Sequence, residues 1–338
     1  MKAVVYHQHG SPADLVVEDI APPELREGDA LIDVGATSMN GFDPMMLAGS
    51  TGLKTPMPMI PCGDYAGRIA GFGPDTDPGA WKIGDRVCPH PFVFGEGMTG
   101  ETRTGAACEQ VRIPVANLIA VPDAVSDVQA ASLPIAYGTA YRMMRTRGRV
   151  EAGETVLVLG ASGGVGTGCV QLAKSVGATV IATGSSPEKL DRLRELGADH
   201  VIDSRAEDWV AQVHAISGKP RMGVGGGVDV AINYIGGETW AQSLRCLRAD
   251  GRMLTCGATI GFNPPTDIRY IWTYEQRIIG SNGWMPDEQI ALLDLVAKGG
   301  FEPVIDRVLP MEGLHEGMQA LIDREVFGKV MVEIRSDS

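Results

Sequence analysis

The run TVLVLGASGGVGTGCVQLAKSVGA, from Thr155 to Ala178, passes from a strand through a cluster of glycines into a helix. Few folds use that succession. A turn stripped of side chains leaves the first amides of the helix open, and open helix-start amides bind an anion. The turn Gly160-Ala-Ser-Gly163-Gly164-Val-Gly166 departs from GxGxxG in having Ala161 where the first glycine would stand. The physics survives the change. Gly163 lets the backbone approach a pyrophosphate and Gly166 allows helix and strand to pack closely. A bare glycine pattern is weak evidence, but here it follows a strand, opens a helix and is followed by a second strand. Gly160, Ser162, Gly163, Gly164 and Val165 are therefore the expected contacts to a dinucleotide.

The surrounding sequence supplies the fold for such a turn. TVLVL, TVIAT, HVIDS, VDVAINYIG, GRMLTCGA and RIIGS read as six strands, with helical runs between them. Strands alternating with helices make a parallel sheet, and two βαβαβ halves make the doubly wound Rossmann fold. The helix VGTGCVQLAKSV ends at Gly177, and PEKLDRLREL starts with Ser186 as cap and Pro187 at its first position, ending at Gly197. Upstream the character differs. Residues 1–122 carry short β-like runs separated by glycine and proline, the pattern of an irregular antiparallel barrel. The expected organisation is thus a barrel domain over 1–122, a Rossmann domain over 123–263 and a return to the first domain over 264–338. A chain of 338 residues suits two domains.

Composition excludes several partners. A net charge of −13 argues against nucleic acid, which needs clustered Lys and Arg. The sequence has no run of five basic residues, so an acidic membrane surface is equally unfavourable, and no apolar stretch of about 18 residues suggests a membrane span. The cysteines at 62, 88, 108, 169, 246 and 256 are scattered and form no CxxC pair. With no export signal at the N-terminus, they read as reduced thiols of a cytoplasmic protein.

The tip of the second strand bears on which dinucleotide binds. An acid about 20 residues beyond the glycine turn holds the ribose 2′-hydroxyl of NAD. This chain has Gly184, Ser185 and Ser186 there, with no carboxylate before Glu188. A missing acid removes repulsion against a 2′-phosphate, and Lys189 and Arg205 offer positive charge. The expectation is NADP(H).

With GDRV at 84–87, GTAY at 138–141, GASGGVG, ELGADHVIDS at 195–204 and FGKVMVE at 327–333, the chain resembles the medium-chain dehydrogenase/reductase superfamily. The resemblance implies a split GroES-like catalytic domain around an inserted Rossmann domain, with the active site in the cleft between them. The zinc ligands of zinc alcohol dehydrogenases fall at Asn40, Gly63 and Ile135, none of which is a His, Cys or carboxylate. No metal is expected. SMNGFD…LAG instead resembles the zinc-independent quinone oxidoreductase-like branch, although PMMLAG, with Met45 and Met46, departs from relatives that carry a tyrosine there.

Without a metal or a Tyr–Lys pair, nothing evident stabilises an alkoxide. Reduction of a quinone or an α,β-unsaturated carbonyl compound asks less. The coenzyme carries the hydride, hydrogen-bond donors hold the developing oxyanion, and water supplies the proton. Asn40, Asp43, Tyr65 and Tyr137 are the candidate catalytic side chains; the alternatives are a turn asparagine, an aspartate bracing the barrel and core tyrosines. Thr139, in the GTAY run, is expected at the nicotinamide end. Asn233 and Gly236 after the fourth strand, and Cys256 and Gly257 after the fifth, sit where ligands bind such sheets. By the same resemblance Asn282 and Gly283 hold the carboxamide and Lys329 reaches the coenzyme. Phe92, Phe94, Met98, Trp272 and Trp284 suggest a small hydrophobic electrophile as substrate. A zinc-independent alcohol dehydrogenase or carbonyl reductase is the alternative within the class, and a non-catalytic NADPH-binding protein the alternative outside it. A homodimer through the edge around RIIGS is expected.

Overall fold

The structure is a computed structural model and describes residues 1–335. It comprises two compact units, one of Met1–Ala136 with Met285–Ser338 and the other of Tyr137–Trp284.

The first unit begins with the antiparallel pair β1 (Lys2–Val5) and β2 (Val16–Asp19). Its main strands are β3 (Asp29–Met39), β4 (Asp64–Phe72), β5 (Arg86–Val87) and β8 (Gln110–Pro114), with a small hairpin of β6 (Phe92–Val93) and β7 (Gly97–Met98). Strand β3 alternates buried and half-buried residues from Leu31 to Ala36, then is buried on both faces to Met39. It pairs with β4 along most of its length and with β8 over its first five residues, Asp29 to Asp33. Two register shifts in the β3–β4 pair bring Gly67 against β3, where an added Cβ would lie 2.0 Å from the Asp33 carbonyl oxygen. No other residue fits there.

The second unit holds the parallel sheet. Its strands are β9 (Thr155–Val158), β10 (Thr179–Gly184), β11 (His200–Asp203), β12 (Val228–Ile232), β13 (Leu247–Thr255) and β14 (Arg277–Gly280). All neighbours pair in parallel, in the order β11-β10-β9-β12-β13-β14. The order reverses between β9 and β12, the place where doubly wound sheets bind ligands. Both faces are covered, so Val156, Leu157 and Val158 are fully buried, and the run reads as continuous apolar sequence rather than an alternation. The helices form as their local chemistry dictates. Ser186 accepts from the Lys189 amide, Pro187 takes the first helical position, and Gly177 and Gly197 adopt φ of 82° and 101°. Those left-handed values suit glycine alone at low cost.

The chain then returns to the first unit, where β15 (Ile305–Pro310) runs parallel to β16 (Lys329–Glu333), and β16 pairs antiparallel with β3. The sheet order is β15-β16-β3-β4-β5, with β8 on β3. The sheets are open, consistent with the expected GroES-like domain, and β15 and β16 pair in parallel within it. The units change at 136/137 and 284/285, whereas the sequence pattern changes at 122/123 and 263/264. The helix Asp127–Ser132 packs on β3 and β4, and β14 pairs with β13, so composition marks where element type changes, not where packing does.

Candidate functional site

In the second unit the glycine turn is fixed from several sides. The Gly160 amide donates to Thr183 Oγ1 at 3.2 Å, and the Gly160 carbonyl accepts from the Tyr234 hydroxyl at 2.7 Å. That hydroxyl also accepts from the Gly166 amide, and burial holds it well above the ordinary tyrosine range, so it stays protonated. Tyr234 thus ties the first glycine of the turn to the first turn of the helix Gly164–Ser175.

The three glycines differ in what surrounds them. An added Cβ on Gly166 would sit 2.3 Å from the Gly160 oxygen and 2.6 Å from the Ala161 Cα. At Gly160 it would meet the Ile235 Cδ1 at 2.7 Å, and φ is already +65°. At Gly163 the nearest atom is 3.7 Å away, an ordinary contact. Nothing in the protein requires Gly163 to be bare, and open space lies beside it at the helix start. Gly163 is also the helix N-cap and supplies no side-chain cap, which leaves the Gly164 and Val165 amides of the first turn available to an anion, the Gly166 amide being engaged by Tyr234. Ser162, Gly164 and Val165 stand half-buried beside it.

The carboxyl ends of the other strands carry further candidates. A cavity of about 400 Å³ is lined by Thr255, Cys256, Gly280, Ser281, Asn282 and two arginines. The Ser281 hydroxyl is buried and has no hydrogen-bond partner among the described residues. A buried hydroxyl left unpaired is unfavourable, and a ligand amide would satisfy it. Sequence reading picked out Asn282 and missed its neighbour. Gly257 is exposed and Gly283 adopts φ of +60°, while Thr139 is half-buried. Asn233 has a different part from the one expected. It is fully buried, donates to Thr239 and Ser243, and accepts from the amides of Ile235 and Gly236. It shapes the crest after β12 and has no group left for a coenzyme. At the tip of β10, Gly184 is buried and Ser185, Ser186 and Lys189 are half-buried. Arg205 is exposed and engaged by Asp203.

The first unit holds a buried polar cluster. The Lys329 ammonium donates to the Met39 carbonyl at 2.9 Å and to Asn40 Oδ1 at 2.5 Å, and lies 3.6 Å from Asp64 Oδ2. Asn40 Nδ2 donates to Asp64 at 2.9 Å, and the Asn40 amide donates to Asp43 at 2.6 Å. Ser38 and the Ile135 amide complete the shell of Asp64. Asp43 also accepts from the Cys62 amide. Lys329 is 2% exposed, and its ammonium faces Met39, Asn40 and Asp64. Asn40 likewise uses its side chain inside this cluster. Two carboxylates face one ammonium, and burial pushes Asp43 up to about 7 and Asp64 above the ordinary range, while it pulls Lys329 down.

The tyrosines are core residues. Tyr137 is fully buried and donates to Gln171 at 2.8 Å. Tyr65 is fully buried too, with its hydroxyl unpaired among the described residues. Neither phenol is exposed to act on a substrate. Phe94 is 95% exposed and Trp272 68%, whereas Met46 and Trp284 are buried. All six cysteines are free thiols. Among the described residues no group of three His, Cys, Asp or Glu side chains is arranged to hold a metal, and no helix is long and apolar enough to cross a membrane.

Sheet order, glycine turn and open helix start together define a dinucleotide-binding protein of the dehydrogenase class. Residues 26–123 match the family model described as alcohol dehydrogenase GroES-like domain, and residues 164–298 match that of zinc-binding dehydrogenase. The chain is 30% identical to crotonyl-CoA reductase of Streptomyces avermitilis, over 92% of this chain and 83% of that protein. It is 29% identical to quinone oxidoreductase of Pongo abelii, over 95% and 94%. Its fold also resembles that of a solved NAD-dependent alcohol dehydrogenase, with a TM-score of 0.90 and 29% identity over 99% of this chain and all of that one. The chain belongs to the medium-chain dehydrogenase/reductase superfamily.

Two outcomes follow from these geometries. Gly163→Ala is expected to weaken dinucleotide binding about tenfold or more with an unchanged melting temperature, whereas Gly166→Ala is expected to cost about 1–3 kcal/mol or more of stability. Titration calorimetry and thermal melts separate them, and a Gly163→Ala protein that binds normally contradicts the assignment. For Asp43, the folded value of about 7 lies above the ordinary aspartate value of 3.8, so the native state holds a proton that the unfolded state has lost between these values. Stability from this group is therefore present at low pH and declines as pH rises through that window. Asp43→Asn is expected to flatten the fall in melting temperature between pH 5 and 8; an unchanged slope contradicts it.

Proposed function

We propose that the protein is an NADPH-dependent, metal-free oxidoreductase that reduces a quinone or an α,β-unsaturated carbonyl compound. The observation that carries the reading is the donor set at the positions where zinc ligands fall. Asn40 is engaged with Asp64 and Lys329, and an added Cβ on Gly63 would meet the Thr99 carbonyl oxygen at 2.5 Å and the Ile135 Cδ1 at 3.1 Å. A carbonyl and a methyl group surround the point where a ligand would project, and zinc is held by His, Cys or carboxylate. The relatives named for crotonyl-CoA and quinone reduction support the same chemistry.

The bound coenzyme supplies the hydride. The chain's part is to hold and orient. The amides of Gly164 and Val165 take the pyrophosphate, since those of Gly163 and Gly166 are engaged by the Gly160 carbonyl and the Tyr234 hydroxyl, and Ser281 with Asn282 takes the carboxamide. Ser185, Lys189 and Arg205 favour a 2′-phosphate, while the Ser186 oxygen already accepts from the Lys189 amide. With Tyr65 and Tyr137 in the core, the proton that completes the reduction comes from water. The free thiols fit a reduced, cytoplasmic setting. A homodimer through β14 belongs to the same reading, because that strand ends the sheet and Ile278 on it is 40% exposed.

NADPH oxidation by chelator-treated protein with a quinone, an enone and a saturated ketone tests the chemistry. Turnover of the first two without added metal is expected; turnover of the ketone alone favours the alcohol dehydrogenase to which the fold is similar. Consumption of no NADPH across the panel contradicts an enzyme altogether. For assembly, sedimentation velocity is expected to give a dimer for the native chain and a monomer for Ile278→Lys. A native monomer contradicts the edge pairing.

A further inference from the structure

The tip of β10 lacks the acid that reads the ribose of NAD, yet an acid stands beside it from the next strand. Gly184 pairs in register with Asp203, the last residue of β11, and the Ser204 amide donates to the Gly184 carbonyl at 2.8 Å. The two strand ends are thus locked together, and Asp203 stands beside Gly184, the residue that opens the serine tip. Two residues on, Arg205 folds back. Its Nε and Nη2 each lie 3.3 Å from an Asp203 oxygen, and its amide donates to Asp203 Oδ1 at 2.9 Å. These hydrogen bonds hold the Asp203 carboxyl below the ordinary carboxylate range. Ser204 and Ala206 also line a cavity of about 380 Å³ whose other walls include Trp209, Ile260 and the acids Glu207 and Glu238. A pocket of that kind beside the strand ends suits a flat base.

We propose that Asp203 and Arg205 together form the element that reads the ribose 2′ position, so that coenzyme selectivity is set from the third strand of the sheet. This rests on the dinucleotide reading above. A carboxylate accepts a hydrogen bond from a 2′-hydroxyl and repels a 2′-phosphate; a guanidinium does the reverse, with a planar fork matched to phosphate. In the structure the two charges oppose one another. The amide of Arg205 anchors Asp203 independently of the guanidinium, so the arginine can turn toward a phosphate without releasing the carboxylate from its place. Arg205 has five donors, of which two face Asp203. The pair therefore tolerates either coenzyme, and Asp203 is what restrains the preference for the phosphorylated one.

The test uses 2′,5′-ADP and AMP as probes, which carry the 2′ difference without any chemistry. Their dissociation constants are measured by titration calorimetry at low salt, where exposed charges are least screened. Asp203→Asn keeps an acceptor for the Arg205 amide while removing the charge. It is expected to raise the preference for 2′,5′-ADP about tenfold, and Arg205→Ala to lower it about tenfold to a hundredfold, the range of a charge-assisted hydrogen bond. Melting temperatures should not move, since both groups are at the surface. An Asp203→Asn protein whose preference stays within roughly twofold of the native chain overturns the proposal, as does failure of the native chain to bind either probe. A native chain that favours AMP, with the substitutions shifting the ratio as stated, supports the proposal and removes the NADPH preference from the functional reading.

Discussion

The second unit depends on one tyrosine hydroxyl. Tyr234 reaches from the end of β12 to the Gly160 carbonyl and the Gly166 amide, and so fastens the turn across the point where the strand order reverses. With Thr183 holding the Gly160 amide, the turn is fixed by the strands on both sides of β9. A turn held this way needs no rearrangement to receive an anion, and the cost of ordering is met during folding. Gly166 is bare because the strand end presses on it, and Gly163 is bare although the protein does not press on it. That contrast separates packing from ligand contact more sharply than the glycine pattern alone.

The first unit rests on a different constraint. Asp43, Asp64 and Lys329 lie fully buried with Asn40 among them, a charge arrangement that is costly unless every group is paired. Removing one member leaves the others unpaired, so the cluster fixes the mutual position of the end of β3, the start of β4 and the start of β16. Its polar character gathers hydrogen-bonded carboxylates and an ammonium at one buried point of the unit. Here those groups satisfy each other.

Much of the fold was legible because its signals are local. Ser186, Pro187, Gly177 and Gly197 specify helix ends within a few residues, and the apolar strands of a doubly covered sheet declare themselves by composition. What was not legible is long-range. Tyr234 meets a residue 74 positions away, and Lys329 meets one 290 positions away. The contacts of the lysine of FGKV are of this kind, since nothing in its own neighbourhood names Met39 or Asn40 as partners. Asn233, Tyr65 and Tyr137 were chosen for their chemistry, but burial decides what chemistry is available. The open sheet of the first unit escaped for a related reason: short strands show that pairing occurs and do not show whether it closes.

The central claim is that hydride passes from the coenzyme to an electron-poor carbon without help from a cation. Deuterium transfer measures this directly. Metal-depleted protein supplied with NADPH deuterated at the transferable C4 position and an enone should place one deuterium on the β-carbon for each coenzyme oxidised. Deuterium on the carbonyl carbon, or no transfer until zinc is restored, would contradict the account.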